Sequence, residues 1–443
     1  MKKFRSFARG GIHPPGNKGY TSDKPIRNAP LPATAVVPFS QHIGAPSKPL
    51  VAPGDHVEEA QMIGEPAGFI SASVHSPIPG VVKEITSIYL PSGIKTEAAV
   101  IELDGEFSRL GKTHEDRDWV SMENTEILEI LKNHGVVGQG GATFPSHVKF
   151  SVPKGRTCEV FLVNAAECEP YLSADHRVML ENTEDIIEGI RIIRKLLSPK
   201  RVIIGIEANK PDAIEVLKAA GEPEGIEIMP LKVKYPQGAE KNLIEATIGR
   251  EVPSGKLPIE VGVINANVGT LVSVCEALRD DKPVIERVVT ISGGAIAHPA
   301  NIRVRVGSSI RDLIEECGGL TEEPAKFISG GPMMGFTFSN LDSPVIKGTS
   351  GILALTDKEV KHFAPTACLS CGRCIESCPM GLSPTTIFKN IEHERLDEAT
   401  AYGLDDCVLC GSCAYACPAH IPLVSAFKAA RGRKRRLSVR NKG

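Results

Sequence analysis

Eight of the twelve cysteines in this chain stand in two copies of one spacing. Cys368, Cys371, Cys374 and Cys378 run up to Pro379, and Cys407, Cys410, Cys413 and Cys417 run up to Pro418, 39 residues further on. The N-terminal stretch MKKFRSFARGGIHPPGNKG is basic with no apolar run behind it, so it does not read as a secretory leader. A cytoplasmic chain keeps its thiols reduced, which favours metal binding over disulfides.

Zinc and iron–sulfur compete for such a pattern. Zinc takes four thiolates in two pairs and leaves the third C-x-x-C step and both prolines without a purpose. The run C-x-x-C-x-x-C-x-x-x-C-P suits a pair of [4Fe–4S] cubanes, as in two-cluster ferredoxins. Three closely spaced thiolates wrap one face of a cubane, and the fourth, turned away by proline, ligates the other cluster. One cluster is therefore expected on Cys368, Cys371, Cys374 and Cys417, and the second on Cys407, Cys410, Cys413 and Cys378. Gly372 and Gly411 let backbone N–H groups approach the sulfurs. Helices are expected from Pro384 to about Leu396 and from Ile421 to Ala430. The other cysteines, Cys158, Cys168, Cys275 and Cys317, read as small buried hydrophobes.

At 443 residues the chain exceeds one ordinary core, so roughly two to four domains are expected. Its formal net charge of -2 gives no global reason to expect nucleic acid. No stretch of eighteen or more uncharged apolar residues suggests a membrane span.

Between about 120 and 280, apolar strands alternate with amphipathic helices. Strands are expected at Glu159 to Val163, Val202 to Ile206 and Ile226 to Val233. Helices are expected at Thr183 to Leu197, with Asn182 as cap, and at Pro211 to Ala220. Such an order implies a parallel sheet covered on both faces, with ligands at the carboxyl ends of its strands. Ahead of it lies GVVGQGGATFPSHVKF, Gly135 to Phe150. Its glycines leave backbone N–H groups open to a phosphate and Lys149 adds a cation, but such a loop by itself is more often a turn than a nucleotide site.

Four blocks turn this into a family resemblance. The loop just quoted, VNAAECEPYLSADHRVM from Val163, YPQGAEKNLI from Tyr235 and INANVGTL from Ile264 together resemble the flavin-bearing NADH-binding subunit of respiratory complex I. With GGIHPPGNK near the start, GGPMMG at Gly330 to Gly335 and the paired cysteine runs, the chain more closely resembles the RnfC family, peripheral subunits of the ion-pumping Rnf complex. The resemblance implies FMN and NAD(H) as cofactors beside the clusters. It implies Gly138, Gly140, Gly141 and Ala142 along the FMN phosphate and nicotinamide, Phe144 stacked on the nucleotide and Lys149 on a phosphate. Asn164, Glu167, Tyr235, Gly238, Asn267 and Thr270 would contact the flavin, and Glu169 and Glu240 would face the nicotinamide side. No acid or base is assigned, because hydride transfer to a flavin needs positioning above all. The chain departs from the complex I pattern at Val137, Gln139, Ala166 and Ala239, which implies a less polar flavin pocket. Thr143 replaces a usual glycine, and Cys168 matches the RnfC family. In the bland reading the glycines and asparagines form turns, Glu169 is a solvated loop carboxylate and Phe144 is core.

The flanks read as smaller units. Residues 31–110 resemble a lipoyl-type barrel-sandwich whose hairpin tip holds Gly68, Phe69 and Ile70 in place of a modified lysine, so docking is expected of it. Residues 283–350 read strand, turn, strand, helix, as in a β-grasp unit for soluble ligands, with Met333 and Met334 expected in irregular core packing. The expected fold is thus multidomain α/β with small β and α+β domains. Its units are an N-terminal extension (1–30), the barrel-sandwich, a Rossmann-like FMN/NADH domain (115–282), the β-grasp unit, a two-cluster ferredoxin domain (355–430) and a basic tail (431–443). The tail suits an anionic membrane surface or a partner better than nucleic acid. The expected role is NAD(H) oxidoreduction through FMN and two clusters, at the cytoplasmic face of the inner membrane, with other Rnf subunits including the ferredoxin-like one. Alternatives are a soluble flavin and iron–sulfur reductase of the cobalamin reductase type, or a redox scaffold that has lost nucleotide binding.

Overall fold

The computed structural model describes residues 4–107 and 110–440. Near the N-terminus two small antiparallel sheets enclose one core. The first orders Thr34–Pro38, Lys95–Leu103, Gly80–Tyr89 and His56–Val57, and the second Lys48–Pro49, Met62–Glu65 and Val74–His75. Alternate residues such as Ala35 and Val37, or Ala99 and Ile101, turn inward onto Ile63 and Val74 of the other sheet.

The middle of the chain builds a four-stranded parallel sheet in the order Ile226–Leu231, Arg201–Glu207, Val160–Ala165, Val263–Asn267. The third expected strand stops at Leu231, short of Val233, because Lys232 and Val233 turn out to solvent. The helix Thr183–Leu197 buries Ile186, Ile187, Ile190, Ile193 and Leu197 along one stripe. Each contributes about 1.5–3 kcal/mol when fully buried, which outweighs the weak helix propensity of isoleucine. Asn182 does not cap this helix with its side chain. It also ends the preceding helix, Ala174–Glu181, and its amide donates to Asp185 instead. Gly189 lets this helix touch Val268–Arg279, since a Cβ there would lie 2.2 Å from the Leu271 carbonyl oxygen.

A six-stranded sheet follows, ordered Arg27–Asn28, Ala300–Arg305, Glu286–Ser292, Gly351–Leu355, Lys326–Ser329, Phe336–Phe338. It takes its first strand from the N-terminal extension and a central one from beyond residue 350, so the limits 1–30 and 283–350 cut through one sheet. Hydrogen bonding across a sheet ignores distance along the chain, which strand patterns cannot reveal.

The C-terminal part holds Arg373–Glu376, Pro384–Glu392, Leu396–Ala401, Ser412–Ala416 and Leu423–Arg440 as helices. The helix expected to reach Leu396 stops at Glu392, where Glu394 takes a left-handed conformation (φ 58°). The last helix runs past Ala430 to Arg440, so most of the expected tail is helical; residues 441–443 lie outside the described residues. Among the described residues, no helix is long and apolar enough to cross a membrane.

Candidate functional site

In the parallel sheet the earliest strand, Val160–Ala165, lies between the second and the fourth, so the chain reverses its direction of travel beside Val263–Asn267. Such a reversal opens a crevice at the carboxyl ends, where ligands of open parallel sheets bind. Asn164 and Asn267 are register partners at that point. Asn164 donates to the Gly238 carbonyl at 2.9 Å. Asn267 caps Val268–Arg279 by accepting from Gly269 N–H, and donates to Asp175 at 2.6 Å.

The glycine loop closes over this crevice. Gly138 N–H donates to the Phe144 carbonyl at 2.9 Å and leaves Gly140, Gly141 and Ala142 exposed. A Cβ on Gly140 would meet Asn267 Cβ at 3.2 Å, so the loop lies directly on the capping residue. Gly141, at φ 110°, faces open space. Thr143 holds φ 47°, a region a β-branched residue rarely enters, so the chain keeps there a conformation that suits glycine. Thr270 accepts Gln139 N–H at 2.9 Å, and Gln139 also reaches Ser273. Phe144 is half-buried. Lys149 pairs with Glu240 at 3.3 Å while both remain partly exposed. Such a pair contributes only ~0–1 kcal/mol, so a phosphate can take the carboxylate's place at little cost. The barrel-sandwich unit meets the same loop, where Ile43 N–H donates to the Thr143 carbonyl, and Phe69 at its hairpin tip is 78% exposed.

Behind the loop lie buried carboxyls. Burial pushes Glu167 up to about 7, against the pull of Lys18 at 3.7 Å. Its Oε1 accepts from Asp175 N–H, while Oε2 has no hydrogen-bond partner. Glu169 is also raised to about 7 by burial. It accepts from the Met333 backbone N–H at 3.1 Å and is largely buried, so it is no solvated loop carboxylate. The two methionines are accordingly not irregular core: Met334 is 44% exposed, and Met333 packs beside Tyr235 and Cys410. Gly238 N–H points at Cys168 Sγ at 3.3 Å, and burial pushes that thiol upward.

The eight motif cysteines ring two cavities. One is lined by Cys378, Cys407, Cys410 and Cys413, the other by Cys368, Cys371, Cys374 and Cys417. In each, three thiols come from one motif and the fourth from the other. Among the described residues, no three His, Cys, Asp or Glu side chains form a single-ion site. Backbone N–H groups face sulfur: Leu409 to Cys407 and Leu382 to Cys378, both at 3.4 Å. Ser370, Gly372 and Gly381 are left-handed, as are Leu409, Gly411 and His420 at the same offset of 39. The surroundings suit cubanes, which need four thiolates around a space and N–H donors toward the sulfurs. The crevice likewise suits a flavin phosphate, with an open glycine turn set against a helix N-terminus.

Crevice and cavities meet. Tyr235 donates its hydroxyl to the Cys410 carbonyl at 2.7 Å and lies 3.5 Å from Glu169. A Cβ on Gly411 would lie 3.0 Å from the Met333 carbonyl oxygen. Ile12 pairs with Tyr235, and Gly11 N–H donates to the Ser377 carbonyl. The cavity of Cys378, Cys407, Cys410 and Cys413 is therefore proximal to the crevice, and the other distal.

Sequence reasoning missed several supports. Lys18 donates to the carbonyls of Glu167, Glu169 and Leu172, and Lys210 to that of Ala166 at 2.7 Å. Lys18 lies in the quoted GGIHPPGNK block, which was the available signal; Lys210 offered none.

Four family models match the chain. They are the RnfC barrel sandwich hybrid domain over residues 6–106, the Nuo51 FMN-binding domain over 131–276, the SLBB domain over 288–337 and the 4Fe-4S dicluster domain over 361–420. Together with the geometry they define a multidomain electron-transfer protein, an FMN-binding unit joined to a dicluster unit. The C-type subunit of the proton-translocating ferredoxin:NAD(+) oxidoreductase complex of Clostridium ljungdahlii is 47% identical over 384 residues, covering 87% of this chain and 84% of its own. Its counterpart in the Na(+)-translocating complex of Acetobacterium woodii is 42% identical over 424 residues, 96% of each chain. The corresponding protein of the ion-translocating oxidoreductase complex of Rhodobacter capsulatus is 42% identical over 440 residues, 97% of this chain and 84% of its own. This chain belongs to their family, the RnfC subunits of the ion-translocating Rnf complexes. An air-oxidized NAD+-reducing [NiFe]-hydrogenase aligns with a TM-score of 0.48 and 18% identity over 63% of this chain and 54% of that one, too loosely to inform the site.

Proposed function

We propose that the chain exchanges electrons between NAD(H) and two [4Fe–4S] clusters by way of FMN, within a complex that couples ferredoxin and NAD to Na+ or H+ transport. The observation that carries this reading is the bond from Tyr235 to the Cys410 carbonyl, which ties the crevice of the parallel sheet to a cysteine motif. FMN supplies the exchange between a two-electron hydride and single electrons.

The residues divide the work. Gly138, Gly140, Gly141 and Ala142 offer backbone to the flavin phosphate and nicotinamide, Lys149 neutralises phosphate once released from Glu240, and Phe144 offers a ring face. Asn164, Gly238, Asn267 and Thr270 shape the flavin's floor, and Glu167 lies behind it as a buried acid near neutral pKa. Glu169, Tyr235 and the Met333 loop separate nicotinamide from the proximal motif, with Glu240 at the rim. Electrons pass between the crevice and Cys378, Cys407, Cys410 and Cys413, and between those and Cys368, Cys371, Cys374 and Cys417. Cys368 and Cys371 are exposed and suit exchange with a partner.

The same reading assigns a Rossmann-like fold to the parallel-sheet unit, a β-grasp fold to the six-stranded one and a ferredoxin-like fold to the last. It divides the chain near residues 110, 282 and 355. The chain sits at the cytoplasmic face of the inner membrane, with the basic last helix toward anionic lipid or membrane subunits and the ferredoxin-like subunit as electron partner. Anaerobic protein reconstituted with FMN, iron and sulfide and titrated with NADH tests this under paramagnetic resonance. Flavin bleaching and two reduced clusters are expected; clusters that dithionite reduces but NADH does not would overturn the reading.

A further inference from the structure

The two halves of the cluster domain correspond at an offset of 39 residues in backbone as well as in sequence. The correspondence continues into the helix after each motif, where Phe388 and Lys389 match Phe427 and Lys428. Three residues later it changes sign. The first half has Glu392 and the second has Arg431.

Each of these two residues stands beside a cysteine motif. Glu392 lines the distal cavity together with Cys368, Cys371, Cys374 and Cys417. Arg431 donates to the carbonyls of Leu404 at 2.6 Å, Asp405 at 2.9 Å and Cys407 at 2.5 Å. Its guanidinium is pinned by these bonds, one of them to the backbone of the first cysteine of the proximal motif. An expected tail residue is thus part of the wall around the proximal motif.

We propose that Arg431 and Glu392 set the reduction potentials of the two clusters apart, Arg431 raising the proximal one and Glu392 lowering the distal one. The proposal rests on the two-cubane reading of the cysteines. A thiolate-bound cubane that accepts one electron gains one negative charge, with no bond made or broken and no proton taken up. A fixed cation beside it favours the reduced form, and a fixed anion opposes it. Other charges differ between the halves as well: Lys389 lines the distal cavity while Lys428 lies over the Phe336 ring, and Arg373 and Ala367 correspond to Ser412 and Asp406. Single substitutions are therefore needed to isolate the share of Arg431 and Glu392. Arg431 is partly buried and its field is screened less than that of exposed Glu392, so its effect is the larger. Water at the exposed Cys368 and Cys371 acts in the opposite sense, stabilising the extra charge on the distal cluster. The two side chains counter that tendency. This pair favours the inner cluster as acceptor for an electron that enters at the outer one from a one-electron donor, and so biases flow toward the nucleotide.

The test uses the full chain, reconstituted anaerobically with iron and sulfide, assayed for iron and titrated with dithionite under paramagnetic resonance. Arg431→Gln is expected to lower one midpoint by a tenfold change in electron affinity, 59 mV for a one-electron couple. Glu392→Gln is expected to raise the other midpoint by less, and by less still at high salt. Arg431→Lys keeps the charge and is expected to hold the wild-type midpoint, separating charge from the lost hydrogen bonds. Unmoved midpoints, shifts of reversed sign, or both neutral variants moving the same midpoint would overturn the proposal. If Arg431→Gln fails to fold, Glu392→Gln decides alone: an upward shift of one midpoint upholds the pairing and a fixed pair of midpoints rejects it. Wild-type iron far below about eight atoms per chain would instead sink the two-cubane reading itself.

Discussion

The proximal and distal cavities are built by one repeated sequence yet end in different surroundings. Around the proximal one, Cys410 and Cys413 are buried, Tyr235 and Met333 press from the crevice side, and the N-terminal segment crosses at Gly10 and Gly11. Around the distal one, residues 361–371 are exposed, and Leu369 is 65% exposed beside two exposed cysteines. The same ligand spacing can therefore serve an inner relay and an outer exchange point. Neighbours from other parts of the chain make the difference.

The sharpest way to break this comparison is to remove one thiol at a time. Cys371→Ser is expected to leave one cluster that NADH still reduces, whereas Cys410→Ser is expected to reduce NADH-driven signal from both clusters to background. Equal loss in the two variants, read by paramagnetic resonance, would refute the inner and outer order.

The next effect lies on the crevice side, where burial opposes charge. Glu167 is held at about 7, above the ordinary carboxylate value, so its neutral form is favoured by folding. Below the ordinary value both folded and unfolded chains are protonated. As pH rises through that value toward about 7, only the unfolded chain releases the proton, and stability falls by up to about 3 kcal/mol. Glu167→Gln lacks this loss, so its urea midpoint relative to wild type should improve from about pH 5 to about pH 8. A difference independent of pH would contradict a buried acid there.

A smaller contrast separates equivalent glycines. Gly372 and Gly411 both have positive φ, so alanine costs ~1–2 kcal/mol at either. A Cβ at Gly411 also presses on the Met333 carbonyl at 3.0 Å, while one at Gly372 meets nothing within 4 Å. Gly411→Ala should lower the melting temperature more and release iron sooner to a chelator; equal losses would deny the contact. The smallest effect is expected from Tyr235→Phe, which removes one hydrogen bond of about 0.5–1.5 kcal/mol. It should slow proximal cluster reduction by NADH while leaving the distal midpoint in place, as rapid mixing and potentiometry can determine.

Much of the candidate site was legible because its residues cluster in short local blocks. Asn164 and Glu167 follow one strand, Asn267 and Thr270 follow another, and register brings the strand ends together. The crossed cysteine sets were legible for the same reason, since spacing and proline encode which thiol turns away. Lys210 and Arg431 were not legible as supports: each acts on carbonyls more than 20 positions away, and a carbonyl leaves no mark in the sequence. The expected cap by Asn182 failed because two helices share that residue.

By itself the sequence determined the ligand types, their repeat, the alternation of strand and helix, and the glycines where the backbone turns left-handed. These depend on covalent spacing and local sterics, which act over a few residues. Only the tertiary structure decided which cavity lies against the nucleotide crevice, which carboxyls lose their water, and that a residue of the expected tail stands beside a cluster motif. Burial and electrostatic proximity depend on packing between segments far apart in the chain, and no local pattern carries that information.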